Sequence, residues 1–189
     1  MARRTAEQNR QAVLGVATRL FYERGIRAVG MDTVVRECDM GNATVYRLFP
    51  SKDALATAYV QERADAWFDR MNDAMEASAD PRKKLVAVFE ALAGETARAG
   101  YRGCPMLNTN TEFPEGEHPA HLVSVRHKQA VRDLFRELAA DAGVTDPDML
   151  ADHLLIVLNG AYATAAILDG PTFGARAAEL ARQLIETAA

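Results

Sequence analysis

Apolar residues recur at spacings of three and four along most of this chain, the period of an amphipathic α-helix. The first such stripe runs through residues 5–24, where Thr5 is placed to cap the start and Gly25 to end the helix. No stretch alternates as a β-strand does, and no repeat is present. The pattern predicts about nine helices and therefore an all-α fold. Beyond the first helix, the predicted helices span about 31–38, 42–49, 52–75, 81–98, 104–113, 120–142, 147–168 and 173–187.

Prolines and small polar residues set several predicted boundaries. Asn42 is expected as the N-cap of the third helix, and Pro50 ends it because the residue before proline avoids the α region. Ser51 is expected to cap the fourth helix. Pro171 is expected to follow the end of the eighth helix, so the ninth starts near residue 173.

Residues 31–49 combine a short helix, a three-residue turn and a second short helix, which is the helix-turn-helix pattern. The second helix begins with small polar groups, so its backbone can approach base edges in the major groove of DNA. Tyr46 and Arg47, one turn further on, and Lys52, at the start of the next helix, can reach bases or phosphates. The predicted DNA contacts here are Asn42, Ala43, Thr44, Tyr46, Arg47 and Lys52.

The charge distribution also favours DNA binding by the N-terminal end of the chain. The 189 residues carry a net charge of −4, which by itself argues against nucleic acid. Residues 1–52, however, hold nine Lys and Arg against five Asp and Glu, a net charge of +4, which leaves −8 for the remainder. A basic head on an acidic body indicates that the head alone meets a polyanion. Arg3 and Arg4 are therefore added to the predicted DNA contacts.

Three segments of this head resemble the DNA-binding domain of the TetR/AcrR family of transcriptional regulators. They are Phe21-Tyr22-Glu23-Arg24-Gly25, Met31-Asp32-Thr33-Val34-Val35 and Thr44-Val45-Tyr46-Arg47-Leu48-Phe49-Pro50-Ser51-Lys52-Asp53-Ala54-Leu55. The turn departs from the family's usual Ala-Gly-Val-Ser and reads Cys38-Asp39-Met40-Gly41, where Asp39 tolerates a left-handed backbone. The resemblance implies a three-helix DNA-binding head at 1–52 and a larger helical body at 53–189. It also implies a homodimer formed by the last two helices and a ligand cavity enclosed by the middle ones.

The residues of the eighth predicted helix support a dimer independently. This helix is apolar on nearly all sides, so it must be covered on nearly all sides, and a chain of this size has difficulty doing so alone. The alternative is a central core helix within one subunit. The predicted interface residues are Leu154, Leu155, Leu158, Ala161, Ala165, Leu180 and Leu184.

The implied cavity has candidate lining residues of two kinds. Methionines and aromatic residues form adaptable apolar walls, while a few polar side chains can orient a ligand. The alternative is that the same residues, which recur at helical spacing, are ordinary core. The predicted ligand contacts are Trp67, Phe68, Met71, Phe89, Met106, His127, Asn159 and Tyr162, and Met75 and Phe113 are further candidates for the cavity wall.

Other candidate chemistry is weak. Cys104, near Arg102, is either a redox-sensitive thiol or a buried apolar residue, and packing is the simpler interpretation. Residues 117–121 contain His118 and His121, but Pro119 interrupts the spacing that a metal site needs, so a solvated loop is expected. No nucleophile, base and orienting group come together in sequence, so we expect no enzyme, metal or cofactor.

No signal peptide or membrane span is evident, which favours the cytoplasm.

The sequence thus predicts a cytoplasmic, homodimeric DNA-binding regulator. We expect a repressor that binds a palindromic double-stranded DNA operator and responds to a small apolar or aromatic effector. The alternative is a helical small-molecule binding or carrier protein with a vestigial DNA-binding head.

Overall fold

The computed structural model describes residues 5–188, which form nine α-helices and no β-strand. The all-α prediction is confirmed. The helices are α1 (Ala6–Arg24), α2 (Met31–Glu37), α3 (Asn42–Leu48), α4 (Lys52–Met75), α5 (Pro81–Thr96), α6 (Pro105–Glu112), α7 (Pro119–Asp141), α8 (Pro147–Ile167) and α9 (Gly170–Thr187).

Most helix ends follow from local chemistry. Thr5 and Gln8 form a capping box at the start of α1, and Gly25 ends that helix with a φ of 91°. The Ser51 hydroxyl accepts the N–H of Ala54 at 3.0 Å and caps α4. Phe49, the residue before Pro50, is extended, so α3 ends where proline predicts.

Two predicted boundaries are wrong. Gly41, with an extended backbone, is the N-cap of α3, and Asn42 is already the first helical residue. No side chain caps α3, so the Asn42 amide is not used for capping. Helix α9 begins at Gly170 instead of residue 173, because the fixed φ of Pro171 suits the first turn of a helix as well as the end of the preceding one.

The chain divides into two compact units. The first comprises Met1–Ala64 and Pro105–Val125, of which residues 5–64 are described in its N-terminal part. Its core is apolar, and an edge-to-face pair of Phe21 and Tyr59 joins α1 to α4 with ring centroids 5.6 Å apart. Helices α6 and the start of α7 therefore pack in the same unit as the helix-turn-helix.

The second unit comprises Asp65–Cys104 and Arg126–Ala189. Helix α9 packs on α5 and α8, and the rings of Phe89 and Phe135 stack at 5.8 Å between α5 and α7. Glycine allows the closest helix approach here. A Cβ on Gly174 of α9 would lie 2.1 Å from Thr96 Oγ1 and 2.9 Å from the Cα of Ala93, both on α5.

Helix α8 is long and apolar enough, by length and composition alone, to cross a membrane, with a mean hydropathy of 1.4 over eighteen residues. No membrane-spanning helix was expected from the sequence. One face of α8 is buried against its own chain, and Asp148 and Asp152 on the helix pair with Arg132 of α7 at 2.8 and 2.6 Å. Helix α8 thus packs on its own chain along one face and carries paired charges near its N-terminus.

Candidate functional site

The helix-turn-helix is built from α2 and α3, joined by a turn in which Asp39 has a φ of 50°. This is the left-handed backbone that the sequence assigned to Asp39, and a short polar side chain tolerates it. Val34 of α2 and Val45 of α3 are completely buried. The two helices are thus locked through their apolar faces, which leaves the opposite face of α3 turned to solvent.

That outward face carries most of the residues predicted to contact DNA. Asn42, Ala43 and Arg47 are exposed, and Tyr46 is 40% exposed despite its aromatic ring. Thr44 is half-buried. A protruding tyrosine and arginine beside small residues at a helix N-terminus form a surface that can enter a major groove.

Lys52 differs from the freely exposed cation that the sequence suggested. It is half-buried, and its ammonium donates a hydrogen bond of 3.0 Å to the main-chain carbonyl of Arg27. An ammonium has three donors, so the remaining two can still meet a phosphate. Arg3 and Arg4 lie outside the described residues.

Comparisons with known proteins agree with this geometry. The model of the family "Bacterial regulatory proteins, tetR family" matches residues 13–59, which span α1 to the first part of α4. The HTH-type transcriptional regulator YjdC of Escherichia coli is 29% identical over 154 residues, which cover 80% of each chain. The HTH-type transcriptional activator FasR of Mycolicibacterium smegmatis is 29% identical over 73% of this chain and 62% of its own. The structure of SCO4454, a TetR-family regulator from Streptomyces coelicolor, superposes with a TM-score of 0.91 and 29% identity over 95% of each chain.

The protein is a DNA-binding transcriptional regulator of the TetR family. The matched residues include the whole α2–α3 helix-turn-helix.

The body of the regulator brings together half of the predicted ligand contacts in one aromatic cluster, formed by Trp67, Phe68, His127 and Tyr162. The Trp67 ring lies edge-to-face with those of Phe68 and His127, at 5.0 and 5.3 Å between centroids. The Trp67 indole Nε1 donates a hydrogen bond of 2.8 Å to the Tyr162 hydroxyl. Helices α4, α7 and α8 thus converge at this cluster.

A partly buried polar network adjoins the cluster, and the sequence did not indicate it. The Tyr162 hydroxyl donates to Glu95 Oε2 at 3.3 Å, and Glu95 pairs with Arg70 at 3.5 Å. Burial and the nearby Glu95 charge raise the pKa of Tyr162 well above its ordinary value, so the phenol stays protonated. Arg70 follows Trp67 by one helical turn, which is a usable signal. Nothing local in the sequence points to Glu95.

Asn159 joins this region through Lys128, another residue that sequence reasoning missed. Lys128 Nζ donates to the Asn159 amide oxygen at 2.6 Å and lies 5.5 Å from the centre of the Tyr162 ring. His127, beside it on α7, is buried, and its Nδ1 has no hydrogen-bond partner. Desolvation, with a smaller contribution from the Lys128 charge, lowers the pKa of His127 to about 4. The imidazole is therefore neutral at pH 7.

The other predicted ligand contacts are placed differently. Phe89 stacks on Phe135, Met71 is buried on α4, and Met106 is buried on α6 within the first unit. A cavity of about 460 Å³ lies between the end of α4, α5 and α9. Its lining includes the further candidate Met75 but none of the eight predicted ligand contacts.

The predicted interface residues divide by burial. Leu154, Leu158, Ala161 and Ala165 are already buried inside one chain, as the core-helix alternative expects. Leu155 and Leu184 are half-buried and Leu180 is 46% exposed. The large apolar side chains that α8 and its C-terminal end leave exposed are not among the predicted interface residues: Met149, Ile156, Ile167 and Leu168.

The histidine-containing loop is not simply solvated. The His118 ring stacks on Phe113 with centroids 3.9 Å apart, and its Nδ1 accepts the N–H of Ala120 at the start of α7. His121 Nδ1 lies 2.8 Å from the carbonyl oxygen of Phe113. Both imidazoles therefore order the turn between α6 and α7. Among residues 5–188 no group of three or more potential ligands could hold a metal ion. Cys104 is buried.

Proposed function

We propose that this regulator is a homodimeric repressor, acting in the cytoplasm, that binds a palindromic operator and is released by a small effector. The observation that carries the proposal is the outward face of α3, where Tyr46 and Arg47 protrude from a helix whose other face is locked by Val45. Two such faces related by a two-fold axis read two half-sites about one helical turn of DNA apart, or a multiple of it.

The exposed face of α8 supports the dimer. Met149, Ile156, Gly160, Ala163 and Ile167 follow one another at intervals of seven, four, three and four residues, and all are exposed. No charged residue occurs between His153 and Asp169. A monomer seldom leaves so long an uncharged apolar stripe in water. The glycine and alanine in the middle of the stripe would let a second copy of α8 approach closely.

Replacing one residue of this stripe tests the dimer. Ile156→Glu would place a carboxylate in the contact, where desolvation opposes association. In sedimentation velocity at micromolar concentration, wild-type protein should run as a dimer and Ile156→Glu as a folded monomer. Leu122→Glu, at an exposed apolar residue of α7, is the matched control and should remain dimeric. A wild-type monomer with full operator affinity would contradict the proposal.

The aromatic cluster supports an apolar or aromatic effector. By linkage, an effector that prefers the non-binding conformation weakens DNA affinity by the same factor by which DNA weakens effector affinity. Mass spectrometry of small molecules retained by the purified protein would identify candidates. Added to the protein–operator complex, a true effector releases the DNA, whereas a carrier protein with a vestigial head would hold the molecule and show no operator preference at all.

Repression has a direct test in the cell. Deleting the gene should raise transcription of the genes next to the operator, and adding the effector to wild-type cells should have the same effect. Lower transcription after deletion would show an activator instead.

A further inference from the structure

One carboxylate from α6 holds the loop between α1 and α2. Glu112 Oε1 accepts the main-chain N–H of Ile26 at 3.0 Å, and Oε2 accepts that of Arg27 at 2.6 Å. These amides follow Gly25, which ends α1, so Glu112 supplies partners that the helix itself does not. Both are charge-assisted bonds, which are stronger than those between neutral groups.

Arg27 binds back to the same region. Its Nε donates to the main-chain carbonyl of Glu112 at 2.5 Å, and its guanidinium pairs with Glu115 at 3.2 Å. The guanidinium also lies 5.3 Å from the centre of the Phe113 ring. The end of α6 and the loop after it therefore bind both the backbone and the side chain of Arg27.

The same loop reaches the start of α4. His118, stacked on Phe113, has its Nε2 3.6 Å from the Asp53 carboxylate. Beside Asp53, Lys52 donates to the carbonyl of Arg27. Arg27 precedes α2 and Lys52 follows α3, so these contacts join the two ends of the helix-turn-helix. We call Arg27, Lys52 and Glu112 the clasp.

We propose that Glu112 is a positioning residue for DNA recognition: through the clasp it fixes both ends of the helix-turn-helix, and so the angle at which α3 meets the major groove. The sequence places Glu112 sixty residues beyond the DNA-binding head, yet its partners lie in that head. Specific binding requires base edges to be met in register, whereas non-specific binding depends on phosphate charge. Loosening the clasp should therefore reduce operator affinity and leave non-specific affinity unchanged.

Simple electrostatics predicts the opposite change in operator affinity when Glu112 is replaced. DNA is a polyanion, so removing an acidic residue from the DNA-binding unit should tighten binding to any duplex. Glu117, an exposed acid in the same loop, provides the matched control for that effect. Glu117→Gln should leave the operator preference unchanged.

The test is a fluorescence-anisotropy titration of full-length Glu112→Gln and Glu117→Gln with operator and scrambled duplexes at several salt concentrations. Circular dichroism at the titration temperature establishes that each variant is folded. Glu112→Gln should bind the operator about tenfold more weakly, the order expected for losing a charge-assisted hydrogen bond. Its affinity for the scrambled duplex should match that of Glu117→Gln, and its salt slope should match that of wild type, since no phosphate contact is removed.

Equal operator affinity for folded Glu112→Gln and Glu117→Gln would overturn the proposal. An equal loss on both duplexes with a reduced salt slope would also overturn it, because that result indicates a lost phosphate contact. If Glu112→Gln does not fold, Arg27→Gln decides, since it keeps both bonds from the main-chain amides to Glu112. Arg27→Gln should lose operator preference at an unchanged salt slope, and retention of full preference would refute the clasp.

Discussion

The indole Nε1 of Trp67 and the hydroxyl oxygen of Tyr162 lie 2.8 Å apart in a hydrogen bond that joins α4 to α8 across 95 residues of sequence. Both side chains are buried, Trp67 at 5% and Tyr162 at 2% exposure. The Tyr162 hydroxyl in turn donates a hydrogen bond to Glu95 Oε2. Since Trp67 is the protein's one tryptophan, its fluorescence reports directly on this network.

Tyr162→Phe should leave the Trp67 indole N–H without its buried partner. We expect a loss of about 1–3 kcal/mol in the free energy of unfolding and a shift in Trp67 emission. Effector affinity should change, while operator affinity without effector should not, because the hydroxyl has no expected phosphate contact. Urea unfolding and fluorescence measure the first two effects. Tyr101→Phe is the control, since it removes a hydroxyl that donates a 3.2 Å bond to the main-chain carbonyl of Tyr162. Identical emission from Tyr162→Phe and wild type would contradict this role.

His127 should make stability depend on pH in a defined window. Its pKa is lowered from 6.5 to about 4 in the folded protein, so between these values the unfolded chain binds a proton that the folded chain does not. The stabilisation is fully present above pH 6.5 and is lost as the pH falls toward 4. By linkage the loss amounts to about 3 kcal/mol.

His127→Phe keeps an aromatic ring and removes this titration. The difference in unfolding free energy between wild type and His127→Phe should therefore change across pH 6.5 to 4 and stay constant above it. Parallel pH profiles for wild type and His127→Phe would rule the effect out.

Two glycine substitutions should change the stability of the protein in opposite directions. At Gly174 a methyl group would collide with Ala93 Cα and Thr96 Oγ1, so Gly174→Ala should destabilise by about 1–3 kcal/mol as α9 shifts away from α5. Gly94 is exposed on α5, and its Cβ would meet nothing within 4 Å. Gly94→Ala should stabilise by up to about 1 kcal/mol through helix propensity. Urea midpoints compare the two, and a stabilised Gly174→Ala would show that the helix approach is not tight.

Local sequence rules predicted much of this fold. The N-cap at Thr5, the proline after α3 and the apolar stripes placed the helices within a few residues, because these signals act between neighbours in the chain. Pro171 was ambiguous, since proline suits both the end of one helix and the first turn of the next. The start of α9 was therefore predicted three residues late.

Features that depend on distant residues could not be predicted in this way. Glu112 and Arg27 are 85 residues apart, and no spacing rule connects them. Likewise, the composition of α8 showed that nearly all its faces need covering but could not tell which face its own chain covers. Leu154 was consequently predicted at the interface although it is buried within one chain, whereas the exposed Ile156 was not included in that prediction.

The most direct test of the account is the binding of DNA through the outward face of α3. An anisotropy titration would compare wild type, Arg47→Ala and Arg176→Ala on duplexes from the DNA flanking the gene and on a scrambled duplex. Arg176 is an exposed arginine on α9 in the other unit, so its variant matches the charge change. Wild type and Arg176→Ala should prefer one flanking duplex by at least about 10³-fold. Arg47→Ala should bind that duplex about 10- to 100-fold more weakly, with a reduced preference. No preference in wild type, or equal affinities for the two variants, would contradict the central claim.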